Sequence, residues 1–529
     1  MHEIPLPGRF NIAEYFIRPN LEAGRADKPY PICDEECLTY GELDSRANRM
    51  GHALRRLGVE PENRVLLVLH DSLQFPVCFW GAVRIGAVAV PVNTMWQTAD
   101  YRHCLEDSRA KVVVVDGELW PKLAPALAGL RRPPLVILAG DRPTPADQDD
   151  SHPWLEDLLA GETEAPVTEY LSPEHPALWL YTSGSTGPPK AAVHAHGNMV
   201  YPAVLLAGDL LGLGPDDLTF SASKFFFAYG LGNSLYFPMA AGATAVIRRE
   251  RPTPEGILAT LARHRPTVLY AVPTLYNALI NTYEEWLAGE HTPSTLPDFS
   301  RLRLAVSAGE PLPAEIYHRW RRHFGCDLLD GIGSTEMLHT FIANPPGESR
   351  PGSTGKIVAG YEARLVDEDC RDVPLGEPGT LWVAGGSAAP RYWNRRAKTR
   401  GTMIGPWMVT GDRFRCDVDG YYWCEGRTDD MIKVGGVWVS PMEVEGALLT
   451  HPAVAECAVV GHDNEAGLTR AKAFVVVKFG HTAGDDLAHR LIAHTAELLP
   501  PFKTPQWVAF AAELPKTSTG KIQRFVLRK

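Results

Sequence analysis

Tyr181-Thr-Ser-Gly-Ser-Thr-Gly-Pro-Pro-Lys190 sets Thr182, Ser183, Ser185 and Thr186 around Gly184 and Gly187, with a lysine just beyond. Glycines let a backbone approach an anion closely, and successive N–H groups can wrap phosphate oxygens. The hydroxyls add side-chain donors. A Walker A loop needs Gly-Lys-Ser/Thr opening a helix; here Pro188 and Pro189 part Gly187 from Lys190. Ser/Gly-rich runs are often only flexible polar loops. This one follows the apolar run Ala177-Leu-Trp-Leu180, which reads as a strand leaving a core, and that context favours a phosphate loop. Asp330-Gly-Ile-Gly-Ser-Thr-Glu336 follows Leu328-Leu329. It is a strand end bearing small residues and a carboxylate, where open α/β sheets bind ligands. Ser307-Ala-Gly-Glu-Pro-Leu312 closes another strand and would alone be an ordinary turn.

The elements that must position these groups alternate. Leu43 to Leu57 has helical apolar spacing, and Arg64–Leu69 is a continuous apolar run suited to a buried parallel strand. Phe75 to Ile85 reads as a helix. Gly86–Asn93, Lys111–Asp116, Leu135–Leu138, Thr244–Ile247, Thr267–Tyr270, Leu302–Val306 and Thr380–Val383 read as strands. The pattern implies an α/β, doubly wound architecture. Residues 140–176 read as a solvated connection, and Phe225–Ile247 as a buried core segment too rich in Gly and Pro to span a membrane. The texture changes near residue 427, and about a hundred residues remain for a small α+β domain. The expected division is therefore 1–428 and 429–529.

A net charge of −11 disfavours nucleic acid and anionic membrane as partners. The nine cysteines contain no Cys-x-x-Cys, so free thiols are expected rather than a zinc site or a disulfide framework. No basic region followed by an apolar run opens the chain, and a cytoplasmic location is the expectation.

Taken together and in this order, the motifs resemble those of the adenylate-forming superfamily, which holds acyl- and aryl-CoA ligases, peptide-synthetase adenylation domains and beetle luciferases. The resemblance implies a large N-terminal domain of doubly wound sheets with a small β-barrel-like subdomain, and a small mobile C-terminal domain. It implies ATP, Mg²⁺ and coenzyme A as reactants and cofactor. Residues 182–187 and Lys190 would cradle phosphates. Glu336 would hold the metal, a hard cation suited to carboxylate oxygen. Gly309, Glu310, Pro311, Asp330, Gly331, Ile332, Ser334 and Thr335 would line the nucleotide. Many relatives carry tyrosine where this chain has Ile332, which can cover a purine face by apolar contact. Asp412 in Val409-Thr-Gly-Asp412 matches a ribose ligand, since a carboxylate can accept from both hydroxyls. Arg427 matches an arginine reaching ribose or phosphate, and Asp429 matches the hinge. Lys521 fits the lysine that enters during adenylation, with Lys516 a weaker substitute. Gly435 and Gly436 would line a pantetheine tunnel, and Phe502 and Lys503 would meet the CoA nucleotide.

Ser221–Ser234 and Asp330–His339 are most similar to benzoate-CoA ligases. In that subgroup Ala228, Tyr229, Gly230, Gly309, Gly333, His339 and the residue at 340 line the aryl pocket. The chain has Thr340 where those enzymes carry a larger aliphatic residue. That implies acceptance of hydroxy- or aminobenzoates besides benzoate. The expected partners are thus an aromatic carboxylic acid, ATP and CoA, with no nucleic acid and no membrane; a homodimer is one expected assembly. The rival reading is an adenylation enzyme that loads a carrier protein. The aryl stretches argue against a luciferase-like oxidase, and Glu336, Asp412 and Lys521 argue against a non-catalytic nucleotide binder.

Overall fold

Apolar residues in the central strands are shared out between two faces. Val65 and Leu67 enter one core while Leu66 and Val68 enter another, and Val112 and Val114 part from Val113 and Val115 in the same way. This is the two-residue period of a strand buried on both sides. The computed structural model describes residues 3–141, 151–182, 188–289, 296–427, 430–434, 437–464, 468–516 and 522–528.

A seven-stranded sheet runs in the order Arg391–Tyr392, Lys190–Ala195, Pro176–Thr182, Val88–Pro91, Arg64–Val68, Val112–Asp116, Leu135–Ala139. From Pro176–Thr182 onward its pairings are parallel; the two before it are antiparallel. A nine-stranded sheet runs Lys356–Ile357, Thr340–Ala343, Asp327–Gly333, Leu304–Ala308, Val268–Ala271, Leu218–Ser221, Thr244–Ile247, Pro29–Cys33, Glu36–Thr39. It too is parallel at its centre and antiparallel at its edges. One large core joins the two sheets, and each has a second core on its outer face. An antiparallel five-stranded sheet follows, built on Gly379–Ala384 and Trp407–Cys416. The mixed α/β architecture matches the expectation from sequence.

After Arg427 the packing changes partners. Ile432, Val434 and Val439 of a short hairpin join Val459, Ala473, Val475, Leu487 and Leu491 in a separate core. Around it stand the strands Val454–Asp463, Thr469–Val477 and Trp507–Phe510, and the helices Pro441–Leu449 and Asp485–Leu498.

Some expected elements shift for stated reasons. The helix read from Leu43 begins at Tyr40, because Thr39 and Glu42 form a reciprocal capping box. The surface connection of 140–176 contains a short helix, Leu155–Ala160, anchored by buried Trp154. Phe225–Ile247 is buried as expected, but its helical run widens over Gly232–Tyr236 between Ala228–Leu231 and Phe237–Ala241. Wide turns of this kind are frequent at functional sites. All nine cysteines are unpaired. Among the described residues no helix is long and apolar enough to cross a membrane.

Candidate active site

The hairpin formed by Pro176–Thr182 and Lys190–Ala195 holds Thr182 opposite Lys190. The expected phosphate loop closes it; of that loop, Ser183, Gly184, Ser185, Thr186 and Gly187 lie outside the described residues. His103 Nε2 lies 2.9 Å from the carbonyl oxygen of Pro189, steadying the loop's far end. Lys190 Nζ donates to Tyr392 Oη at 3.0 Å, and Tyr392 Oη donates to Glu336 Oε1 at 2.5 Å. Lys190 and Glu336 are themselves 3.8 Å apart. Burial pulls the Lys190 ammonium below its usual pKa, and nearby Lys398 and Arg427 add to the pull, against Glu336. Three strands or turns remote in sequence thus meet at one charged cluster.

Sequence reasoning missed Tyr392. Arg391-Tyr-Trp-Asn394 has no periodicity and no charge pattern, and only its antiparallel pairing on Lys190–Ala195 brings the phenol to the site. It missed His194 as well. His194 is fully buried, and its Nε2 donates to the Thr335 carbonyl at 2.8 Å, fixing the turn that presents Glu336. Burial lowers its pKa to about 4, so at neutral pH it is an uncharged support. A lone histidine in an otherwise apolar strand was the available signal. The Ala389 amide holds the Glu336 carbonyl at 2.7 Å, and Ser334 Oγ accepts from the Met337 amide at 3.1 Å.

On the five-stranded sheet Asp412 stands in register with Arg427. Arg427 Nη1 lies 3.2 Å from Asp412 Oδ1 and donates to the Thr410 carbonyl at 3.4 Å. Gly411 between them has φ +77°, a conformation that favours glycine.

Gly309, at φ +103°, turns the chain after Leu304–Ala308. Pro311 follows Glu310, and the Leu312 amide then donates to Asp330 Oδ2 at 3.2 Å. Asp330 is buried, its Oδ1 has no hydrogen-bond partner among the described residues, and burial pushes its carboxyl well above the usual range. Glu310 Oε1 accepts from the backbone amide of Ile522 at 2.9 Å. That contact brings the residue after Lys521 to the turn; Lys521 itself lies outside the described residues, as do Asp429, Gly435 and Gly436. Lys516 is held by Glu456 at 2.9 Å.

The expected aryl residues come together between Ala228–Leu231 and the edge of the nine-stranded sheet. Tyr229 and His339 rings lie 5.4 Å apart, and Phe237 is 4.5 Å from His339 on another side. Tyr229 Oη donates to the Val306 carbonyl at 2.8 Å. His339 Nε2 lies 3.2 Å from Asn233 Oδ1, a residue supplied by the widened turn. Burial lowers the His339 pKa to about 3. Glycines let the backbone close up here: a Cβ on Gly230 would lie 2.2 Å from the Lys224 carbonyl oxygen, and one on Gly333 would lie 2.5 Å from that of His339. Gly331 would meet the Thr340 methyl at 2.9 Å. Ile332 packs partly buried against the main core, and Ala228 and Thr340 are buried. Phe225, by contrast, stacks on Phe75 at 4.4 Å and is a core residue.

Phe502 is exposed, and Lys503 is paired with Glu443 at 2.6 Å.

The family model described as AMP-binding enzyme matches residues 20–393, and that of the AMP-binding enzyme C-terminal domain matches residues 443–521. The chain is 45% identical to the benzoate–CoA ligase of Thauera aromatica, covering 99% of this chain and 97% of the relative. It is 44% identical to the 4-hydroxybenzoate–CoA/benzoate–CoA ligase of Rhodopseudomonas palustris, over 98% and 94%. Among solved structures, the anthranilate CoA ligase AuaEII in complex with anthranoyl-AMP superposes with a TM-score of 0.93 at 38% identity, over 99% and 97%.

Proposed function

This chain belongs to the AMP-binding enzyme family and is an AMP-forming aryl-CoA ligase, and from that premise we propose that it activates benzoate and ring-substituted benzoates. The family's reactants are ATP and CoA. The single observation that carries the substrate reading is the convergence of the Tyr229, His339 and Phe237 rings, which we take as the wall of a slot for the aromatic ring. A cluster of rings suits an aromatic acid, whose own ring it can contact by apolar surface.

The substrate carboxylate attacks the α-phosphorus of ATP, pyrophosphate leaves, and an aryl-adenylate forms. Charge builds on phosphate oxygens, so positioning and electrostatics carry the step. The 182–190 hairpin, Lys190 and Lys521 supply them, while Asp412 and Arg427 hold the ribose end. Glu336 fits Mg²⁺, because that ion is commonly held by one or two carboxylates plus substrate phosphates; when bound it would neutralise phosphate charge. Among the described residues no cluster of three or more His, Cys, Asp or Glu competes for a metal. The small domain then turns about Asp429, near the 428/429 boundary, withdrawing Lys521. Gly435 and Gly436 admit the pantetheine arm, Phe502 and Lys503 meet its nucleotide, and the CoA thiol displaces AMP.

ATP–pyrophosphate exchange across benzoate and its hydroxy and amino isomers tests the reading. Exchange with these acids, followed by aryl-CoA formation from free CoA, is the expected result. Transfer only to a carrier-protein thiol would install the rival reading. Lys521→Ala should lower adenylation about 10²–10³-fold, the scale of losing one preorganised charge-stabilising group. It should leave thioester formation from supplied aryl-adenylate intact; an equal fall in both half-reactions would remove Lys521 from its assigned role.

A further inference from the structure

The small domain touches the large one at a second place, away from the Glu310–Ile522 contact. Val454 pairs with Val477 and Glu456 with Val476, so a β-bulge takes Ala455 out of register. Its carbonyl accepts instead from Asn277 Nδ2 of the large domain, at 2.7 Å. Bulges re-aim single groups in this way. Lys478, just past the same strand pair, lies 3.4 Å from Glu284 Oε2. Asn277 and Glu284 share the helix Pro273–Leu287, and both are held by Arg319. Its Nη1 donates to Asn277 Oδ1 at 3.1 Å, and its Nη2 donates to Glu284 Oε2 at 2.6 Å and to Asn281 Oδ1 at 2.7 Å. Arg319 is buried, and its donors satisfy these side chains rather than any group of the site described above. The helix that carries it, Ala314–Phe324, begins just after the Gly309–Pro311 turn that receives Ile522.

Building on the ligase reading above, we propose that Asn277 and Glu284, aligned by Arg319, are positioning residues that seat the small domain for the first half-reaction. The bulge carbonyl and Lys478 are their docking points. Both contacts must break when the small domain turns. They therefore bias the resting enzyme toward the pose that brings the 522 backbone to Glu310, and they contribute nothing once the turn has occurred. A ligand-independent bias of this kind shifts populations by the factor its contacts are worth.

Lys478→Ala, Lys478→Glu and Asn277→Ala test the assignment in the full-length enzyme. A half-exposed ion pair is worth a factor of about two to five, and a partly buried amide–carbonyl bond about three to ten. Pyrophosphate exchange with benzoate should fall by those factors, most for Asn277→Ala. Thioester formation from supplied benzoyl-adenylate should hold or rise. Hydrogen–deuterium exchange of the free enzyme should quicken at Ile522 and across residues 453–456. Equal losses in both half-reactions, or unchanged amide exchange at Ile522 in both Lys478 variants, would overturn the proposal while leaving the ligase reading in place. Absence of pyrophosphate exchange in the unsubstituted enzyme would count against the ligase reading itself, and the amide-exchange result does not depend on it.

Discussion

The two ends of the proposed site, one for phosphate and one for the aryl group, hold their polar groups by different chemistry. At the phosphate end the groups keep their charges in pairs: Lys190 with Glu336 through Tyr392, and Arg427 with Asp412. At the aryl end burial strips charge away. It pushes the Asp330 carboxyl well above the usual carboxylate range and lowers His339 to about 3. His339 Nδ1, Asn233 Nδ2 and Asp330 Oδ1 are buried and have no hydrogen-bond partner among the described residues. An unpaired charge buried there would cost far more than an unpaired neutral group, which is why burial drives this end toward neutrality. At the charged end each ion already has a partner in the protein, which under the proposed function a phosphate would replace.

Tyr392→Phe is the sharpest way to break the charged end. The hydroxyl both accepts from Lys190 and donates to Glu336, and without it those ions face each other across 3.8 Å. Hydrogen bonds to charged groups contribute about 1.5–3 kcal/mol each, so the adenylation rate should fall about 10–100-fold. Preference among aromatic acids should not change. If acid preference moved with the rate, the two ends would not be separable.

Gly232→Ala breaks the neutral end. The added Cβ would lie 2.4 Å from His339 Cδ2 and 3.1 Å from Tyr236 Oη, so the imidazole must shift or the widened turn must yield. Overpacking of this kind costs about 1–3 kcal/mol of stability. The KM for benzoate should rise about ten-fold in steady-state assays, with the KM for ATP unmoved. A parallel rise in both would mean the slot and the phosphate cluster share one support.

The same contrast marks what the sequence discloses. Elements set by local order are legible in it: the strand ending at Thr182, the strand leading to Glu336, and the strands that carry Asp412 and Arg427. Thr244–Ile247 is a strand at the residues read. Groups that act only because two distant segments meet are not legible. Tyr392 reaches Glu336 through an edge pairing, Asn233 reaches His339 through a widened turn, and Asn277 finds Ala455 through a bulge. No periodicity encodes those encounters; tertiary packing alone creates them. The strand read at Leu302–Val306 runs from Leu304 to Ala308.

The smallest effect, and the finest division within the neutral end, belongs to Thr340. It opens the strand Thr340–Ala343 opposite Gly333, and it is buried. Its methyl faces Gly331, which has no side chain to meet it. Thr340→Val keeps the volume and removes only the hydroxyl, so the fold should be undisturbed. If the hydroxyl serves a hydroxy or amino group on the ring, kcat/KM for those acids should fall about three- to ten-fold, the worth of one neutral hydrogen bond. Benzoate, which has nothing to offer that hydroxyl, should gain or hold. Asn233 Nδ2 and His339 Nδ1 remain as polar partners in the variant, which keeps the loss modest and confines it to isomers whose substituent points at the strand. A uniform loss across benzoate and all isomers would instead assign Thr340 to packing, and would leave the substituent to the Asn233 side of the slot.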